Sequence, residues 1–171
     1  MTTKKNALYN SSILSRKIEL SILEIGNNIE ELLHSKLVQL LEGKCNLEGY
    51  FKKQSIEIIS YSSGEIIRGN IILFDVVFNA KICLPVEGMI LNGEVNSITK
   101  AGIKAHIKNL EDDPIVIFIM KDHFAQDDYF NSIQVNNLIK VRVIGQRHEI
   151  NDSKIYVIGE LMPLKKLKVN S

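Results

Sequence analysis

The sequence predicts an α+β protein in two parts, one helix on an antiparallel sheet followed by a five-stranded β-barrel. Three observations lead to this prediction: a strongly periodic helix near the N-terminus, strand-like runs on both sides of it, and strand-like runs alone after Pro85–Gly88. The 171 residues are enough for two small domains, and 45% hydrophobic with 24% charged residues is typical of a folded protein. We therefore predict domains at residues 1–86 and 87–171.

The first part opens with a predicted strand and a predicted helix. Residues 13–25 alternate between apolar and polar side chains, which predicts a strand that ends at Gly26. Asn27 and Glu30 have the spacing of a capping box, in which side chains bond the free N–H groups at a helix start. Gly43 stands where a left-handed residue would end the helix. The apolar stripe between them consists of Ile29, Leu32, Leu33, Leu37, Leu40 and Leu41.

Three further β-rich runs complete the first part. They span residues 44–52, 55–61 and 70–84. The last run is long, and we predict a bend or bulge in it at Asp75. Before it lies a turn-rich loop, Ser62–Gly69, that contains the consecutive isoleucines Ile66 and Ile67. Two apolar side chains in a turn-rich loop are expected to be exposed unless a partner buries them.

The second part contains five predicted strands. They span residues 89–98, 103–107, 115–120, 138–145 and 154–161. A turn at residues 99–102 joins the first two, and Asn151 with Asp152 forms the turn between the last two. Residues 122–133 are predicted to be irregular, with at most one helical turn. Five short strands with an excursion after the third are typical of an OB-type barrel.

The sequence shows no catalytic or metal-binding motif. The histidines and cysteines, which are His34, His106, His123, His148, Cys45 and Cys83, have no metal-ligand spacing. The group of Asp122, His123, Asp127 and Asp128 could suggest a metal, but its spacing favours a solvated acidic loop. We therefore predict no catalytic residue, no metal and no cofactor. No apolar run approaches the roughly 18 residues of a membrane span, so no membrane contact is predicted.

One predicted barrel strand carries a basic face. Lys104, His106 and Lys108 alternate with apolar residues, so a period of two places all three on the same side. In OB barrels, the outer face of the second and third strands binds single-stranded nucleic acid. Lys140 and Arg142 are predicted to extend this patch. The alternative is that these positions are charged only to keep an outward strand face soluble and unpaired.

Other features of the sequence favour only weak binding of nucleic acid. The formal net charge is +1, so binding would depend on the local patch and not on a global basic field. Ile103 follows Gly102 at a position where an aromatic ring would stack on bases, which leaves Tyr156 as the one nearby ring. We therefore expect contacts with phosphates that are indifferent to base sequence.

Several motifs occur in the order found in a known family. They are Leu41–Cys45, Gly49–Tyr50, Gly64–Gly69, Val77–Gly88, Gly93–Val95, Lys100–Ile103, Ile139–Gly145 and Ile158–Leu161. In these motifs the sequence resembles the stalk subunits of DNA-directed RNA polymerases, namely the seventh subunit of eukaryotic RNA polymerase II and its archaeal counterpart, the large stalk subunit. The resemblance extends from about Leu20 to Leu161. The sequence departs from the family at the N-terminus and between Lys121 and Val135, where a long segment that follows the third barrel strand in the family is shortened.

The resemblance implies a fold and a set of partners. It implies a truncated ribonucleoprotein-like N-terminal domain followed by an OB barrel, with no catalysis of its own. The N-terminal tip would dock on RNA polymerase core subunits through Ser63, Gly64, Glu65, Ile66, Ile67, Arg68 and Gly69. The barrel would contact nascent single-stranded RNA or initiation factors, and a smaller helical subunit would be a partner. The location would be the nucleus for a cellular eukaryotic protein, or the host cytoplasm and virion for one from a large DNA virus.

Two other classes of function remain open from the sequence. A free-standing RNA-binding module of RNA processing or translation would use the same kind of barrel, but it would lack the strand–helix–sheet domain before it. A small enzyme could assemble a site from scattered residues, but it would need a histidine or carboxylate in a pocket, and the sequence offers no candidate.

Overall fold

The computed structural model describes residues 8–123 and 128–163, which form two compact units. One unit contains the described residues up to Leu84 together with Glu149–Ser153, and the other contains the described residues from Pro85 to His148 and from Lys154 onward. The α+β prediction is confirmed by one main helix, an antiparallel sheet and a closed five-stranded barrel. Among the described residues, no helix has the length and apolarity needed to cross a membrane.

The first unit is a sheet built around one long central strand. Its elements are β1 (Tyr9–Ser21), α1 (Ile29–Leu41), β2 (Cys45–Asn46), β3 (Gly49–Phe51), β4 (Glu57–Tyr61), β5 (Glu65–Arg68) and β6 (Ile71–Cys83). β6 pairs antiparallel with β1 along its full 13 residues. Its other edge pairs with β3, β4 and β5, and β2 continues the sheet beyond β3.

Helix α1 covers one face of this sheet. Its buried residues Leu33, Leu37 and Leu41 pack in a core with Ile18, Leu20, Phe51, Ile56, Phe74, Val76, Phe78, Ala80 and Ile82. Burial of each of the larger side chains, that is all of these except Ala80, stabilises the fold by roughly 1.5–3 kcal/mol. Leu40 does not join this core, contrary to the sequence prediction, because it faces a groove beside β1, the edge strand of the sheet.

The helix begins one residue later than the sequence predicts. Asn28, and not Asn27, is the N-cap, and its Oδ1 accepts a hydrogen bond from the Glu31 N–H at 3.3 Å. Its Nδ2 also donates to Glu31 Oε2 at 2.6 Å. Gly43 has φ +71°, the left-handed conformation expected just after the helix.

The predicted bulge at Asp75 is wrong. β6 keeps its register with β1 through the pair of Asp75 and Lys17. The irregularities lie in the strands on the other edge, at one residue between Ile58 and Ser60 in β4 and one between Ile66 and Arg68 in β5. These strands have at most five residues each, so they adjust to the twist of the long pair with few hydrogen bonds to lose.

The second unit is the barrel. Its elements are β7 (Ile90–Ile98), β8 (Gly102–His106), β9 (Ile115–Met120), α2 (Asp128–Ser132), β10 (Leu138–Arg147) and β11 (Ile155–Met162). The strands close in the order β7-β8-β9-β11-β10, with β9 and β11 parallel and the other pairs antiparallel. This arrangement is an OB-type barrel, as predicted. The barrel residues Leu91, Val95, Ile103, Ile117, Ile119, Val141, Val143, Ile155 and Val157 are buried.

We expect the barrel to fold without the first unit. Its strands close on themselves and the barrel buries its own apolar residues, so its backbone and core need no second sheet. A fragment from Glu87 to Ser171 should be soluble, give a β-sheet circular dichroism spectrum and melt cooperatively. A helical or unfolded spectrum would place the folding boundary elsewhere.

Candidate functional site

The predicted loop with two isoleucines is partly a strand. Residues 65–68 form β5, which pairs with Ile71–Leu73 of β6 in a hairpin. The hairpin leaves both isoleucines outside the core: Ile66 is 65% exposed, and Ile67, at the irregularity in β5, is also exposed. Ser63, Glu65 and Arg68 beside them are exposed as well.

Two glycines shape this hairpin. Gly69 has φ +55°, which suits the tight turn between the two strands. Gly64 passes so close to β6 that a Cβ there would lie 2.4 Å from Ile72 Cγ2 and 2.8 Å from the Phe74 ring. A larger residue at Gly64 would therefore push the hairpin away from the sheet.

Two more apolar side chains lie at the same end of the sheet, and no motif in the sequence marks them as part of a site. Ile22 and Leu23 follow β1, and the Ile22 N–H donates to the Asn70 carbonyl in the β5–β6 turn at 2.7 Å. A capping box between Ser21 and Glu24 holds this segment in a 3₁₀ turn. Leu23 is 86% exposed. We call Ile22, Leu23, Ile66 and Ile67 the apolar tip.

The basic face of the barrel has the predicted alternation. Ile103 and Ala105 in β8 are buried, whereas Lys104 points outward and is exposed. His106, at the end of the strand, is half-buried. Lys108 lies two residues beyond the end of β8 and is exposed. Within β8 the period of two therefore turns Lys104 outward and Ile103 and Ala105 inward, whereas Lys108 lies outside the strand.

An aromatic pair lies beside Lys104 on the outer barrel face. Lys104 pairs across strands with Phe118 of β9. The Phe118 ring stacks on Tyr156 of β11, with 6.2 Å between ring centroids and an interplanar angle of 19°. Phe118 is 38% exposed and Tyr156 is 46% exposed. We call these two side chains the ring pair. The sequence does not predict an exposed Phe118, because residues 115–120 form a continuous apolar run that is typical of a buried strand.

The five basic residues predicted for the barrel do not form one patch. Lys104 pairs with Ser97 of β7 and Lys140 pairs with Asn92 of the same strand, which places them roughly 16 Å apart along β7 at about 3.3 Å per residue. Arg142 Nη1 lies 3.6 Å from Glu160 Oε2. Lys104 and His106 therefore adjoin the ring pair, while Lys140 and Arg142 belong to another part of the surface.

The candidate metal and cysteine positions show no reactive arrangement within the described residues. No group of three or more potential metal ligands occurs there, although Asp127 and the His123 side chain lie outside them. Burial raises the pKa of Cys45 to about 11, with a contribution from Asp152. Burial likewise raises the pKa of Cys83 to about 12, with a contribution from Cys45. Both thiols are therefore protonated at neutral pH and poorly nucleophilic.

No protein-family model matches the chain. The chain is 26% identical over 164 residues to DNA-directed RNA polymerase II subunit RPB7 of Glycine max, which covers 87% of this chain and 89% of the relative. It is 25% identical over 168 residues to DNA-directed RNA polymerase II subunit RPB7 of Saccharomyces cerevisiae, and this alignment covers 86% of this chain and 92% of the relative. The chain is related to RPB7. A putative DNA-directed RNA polymerase subunit of Acanthamoeba polyphaga mimivirus is 24% identical over 175 residues, covering 94% and 85%.

The relationship to RPB7 extends over both units, because each alignment covers at least 86% of the chain for the cellular relatives and 94% for the viral one. The resemblance stated from the sequence motifs is thereby confirmed. The relatives indicate an RNA polymerase subunit of the RPB7 type, and the mimivirus protein shows that such relatives occur in a virus as well as in plants and yeast.

Proposed function

We propose that this chain is a non-catalytic stalk subunit of a multisubunit DNA-dependent RNA polymerase. It docks on polymerase core subunits through the apolar tip and contacts emerging single-stranded RNA or initiation factors through the barrel. The observation that carries the proposal is the apolar tip: four exposed apolar side chains at one end of a sheet, in a chain whose relatives are polymerase subunits.

The tip has the properties of a docking surface. Burial in a partner would recover roughly 1.5–3 kcal/mol for each large apolar side chain. The Ile22–Asn70 hydrogen bond and the Ser21–Glu24 capping box already hold the backbone in place. Little conformational entropy would therefore be lost on binding, which favours a tight contact from a small area.

The barrel has the properties of a weak single-strand binding surface. The ring pair offers exposed π faces on which bases can stack whatever their sequence, and Lys104 beside it can contact a phosphate. Lysine acts on phosphate as a point charge without base geometry. We therefore propose that the ring pair adds a stacking contribution, which the sequence alone does not predict.

Further partners and the location follow from the same proposal. A smaller helical subunit would bind this chain within the stalk. A cellular eukaryotic polymerase would place the chain in the nucleus, and a polymerase of a large DNA virus would place it in the host cytoplasm and virion. The names of the plant, yeast and mimivirus relatives are consistent with either setting.

A free-standing RNA-binding module of RNA processing or translation is the second candidate function. The ring pair with Lys104 favours it, because this surface could bind RNA without any polymerase. The apolar tip is left without a role in that case, so we rank this candidate second.

Affinity purification of the tagged chain from its native setting distinguishes the two. The stalk proposal predicts that the large catalytic subunits of an RNA polymerase co-purify in near-equal amounts and resist a wash at high salt, since the tip contact is apolar. Recovery of RNA-processing or translation proteins in place of polymerase subunits would favour the second candidate.

A further inference from the structure

One basic residue of the barrel, Lys108, takes part in an ion pair. Lys108 Nζ lies 2.7 Å from Oε2 of Glu94 on β7. The Glu94 side chain is only 15% exposed, whereas that of Lys108 is 56% exposed. The contact is an ion pair and not a well-directed hydrogen bond. The carboxylate is therefore largely buried, and the more exposed lysine reaches toward it from the surface.

The strand register fixes Glu94 in this position. Glu94 pairs with His106 of β8 on one side and with Leu138 of β10 on the other. Lys108 lies two residues after His106, the last residue of β8, and its ammonium group reaches the Glu94 carboxylate. Lys104, in contrast, takes part in no ion pair among the residues that the structure describes, and it lies beside the ring pair. Two lysines that look equivalent in sequence thus differ in their availability to phosphate.

We propose that Glu94 limits the affinity of the barrel for RNA by holding Lys108 away from the phosphates. This inference rests on the proposed RNA contact of the barrel. A carboxylate 2.7 Å from the ammonium competes directly with an incoming phosphate for the same charge. The wild-type site then binds with Lys104 and the ring pair, and Lys108 contributes little. Such a limit suits a surface that must let a moving transcript pass.

The test compares Glu94→Gln with matched variants by fluorescence anisotropy of a labelled single-stranded RNA at several salt concentrations. One additional phosphate contact steepens the salt slope by about 0.7, which corresponds to roughly fivefold tighter binding at 0.1 M salt. Glu94→Gln should show this gain. Glu160→Gln is the control, because it changes the net charge equally but releases Arg142, away from the ring pair.

Lys108→Ala provides a second, independent test at an exposed position. Alone it should change affinity less than twofold, and in its presence Glu94→Gln should no longer tighten binding. Equal gains from Glu94→Gln and Glu160→Gln would overturn the inference, and so would a loss from Lys108→Ala as large as that from Lys104→Ala. If the wild type and every variant fail to bind RNA, the proposed barrel contact itself is overturned, together with the inference.

Discussion

Replacement of Ile66 and Ile67 by Asp should abolish assembly of the chain with an RNA polymerase core while leaving the fold intact. Both side chains are exposed in the free chain, so aspartate there costs the fold little. In the complex, the same change removes two buried apolar contacts worth about 3–6 kcal/mol together, or roughly a hundredfold or more in affinity. Co-purification of polymerase subunits with the tagged variant, beside its circular dichroism spectrum, measures both effects.

Ile13→Asp is the matched control for this variant. Ile13 is a 69% exposed isoleucine of β1, opposite Asn79, and lies eight residues before Ser21 at the tip end of the strand. Ile13→Asp makes the same isoleucine-to-aspartate replacement in a distant part of the same sheet, so the polymerase should co-purify normally. Leu23→Asp should weaken assembly as the paired isoleucines do. Normal co-purification of the Ile66/Ile67 variant would show that the tip is not the anchor.

Removal of the ring pair should weaken RNA binding strongly without altering its salt dependence. Base stacking on an aromatic side chain is worth about 1–3 kcal/mol per base, so Phe118→Ala with Tyr156→Ala should lower affinity at least fivefold.

Lys104→Ala should act differently from the ring variant, flattening the salt slope by about 0.7 because one phosphate contact is lost. From sequence alone, loss of Lys104 and Lys108 together predicts a flattening of roughly 1–1.5; the Glu94 ion pair reduces this expectation to about 0.7.

Fluorescence anisotropy of a labelled single-stranded RNA against salt separates these contributions. Ile90→Ala, at an exposed apolar position of β7 opposite Arg142, is the control for the ring variant and should bind as the wild type does. Unchanged affinity in the ring variant would mean that the stacked pair has a structural role only. An unchanged slope in Lys104→Ala would mean that the strand carries charge merely to remain solvated.

The features that could be predicted from the sequence depend on local periodicity. The three- and four-residue spacing that includes Leu33, Leu37 and Leu41 is a property of one helix, and the alternation around Lys104 is a property of one strand. The five barrel strands were likewise recognisable from short apolar runs separated by turns. Their closing order follows because an OB-type barrel is a common solution for this pattern.

The features that could not be predicted depend on which strands become neighbours. Leu23 belongs to the apolar tip because Ser21 pairs with Ile71, which brings the end of β1 beside the β5–β6 turn. Phe118 joins Tyr156 because β9 and β11 are parallel neighbours, although about 40 residues separate them in the chain. The ion pair of Lys108 with Glu94 similarly depends on the β7–β8 register.

Site-specific photocrosslinking in a transcribing polymerase tests the central claim most directly. A crosslinker at Leu23 should couple the chain to a large polymerase subunit, since this side chain lies in the apolar tip. A crosslinker at Tyr156 should couple it to the nascent RNA, since this side chain lies in the ring pair. A Leu23 crosslink to RNA, or a Tyr156 crosslink only to proteins, would contradict the assignment of polymerase docking to the tip and RNA contact to the barrel.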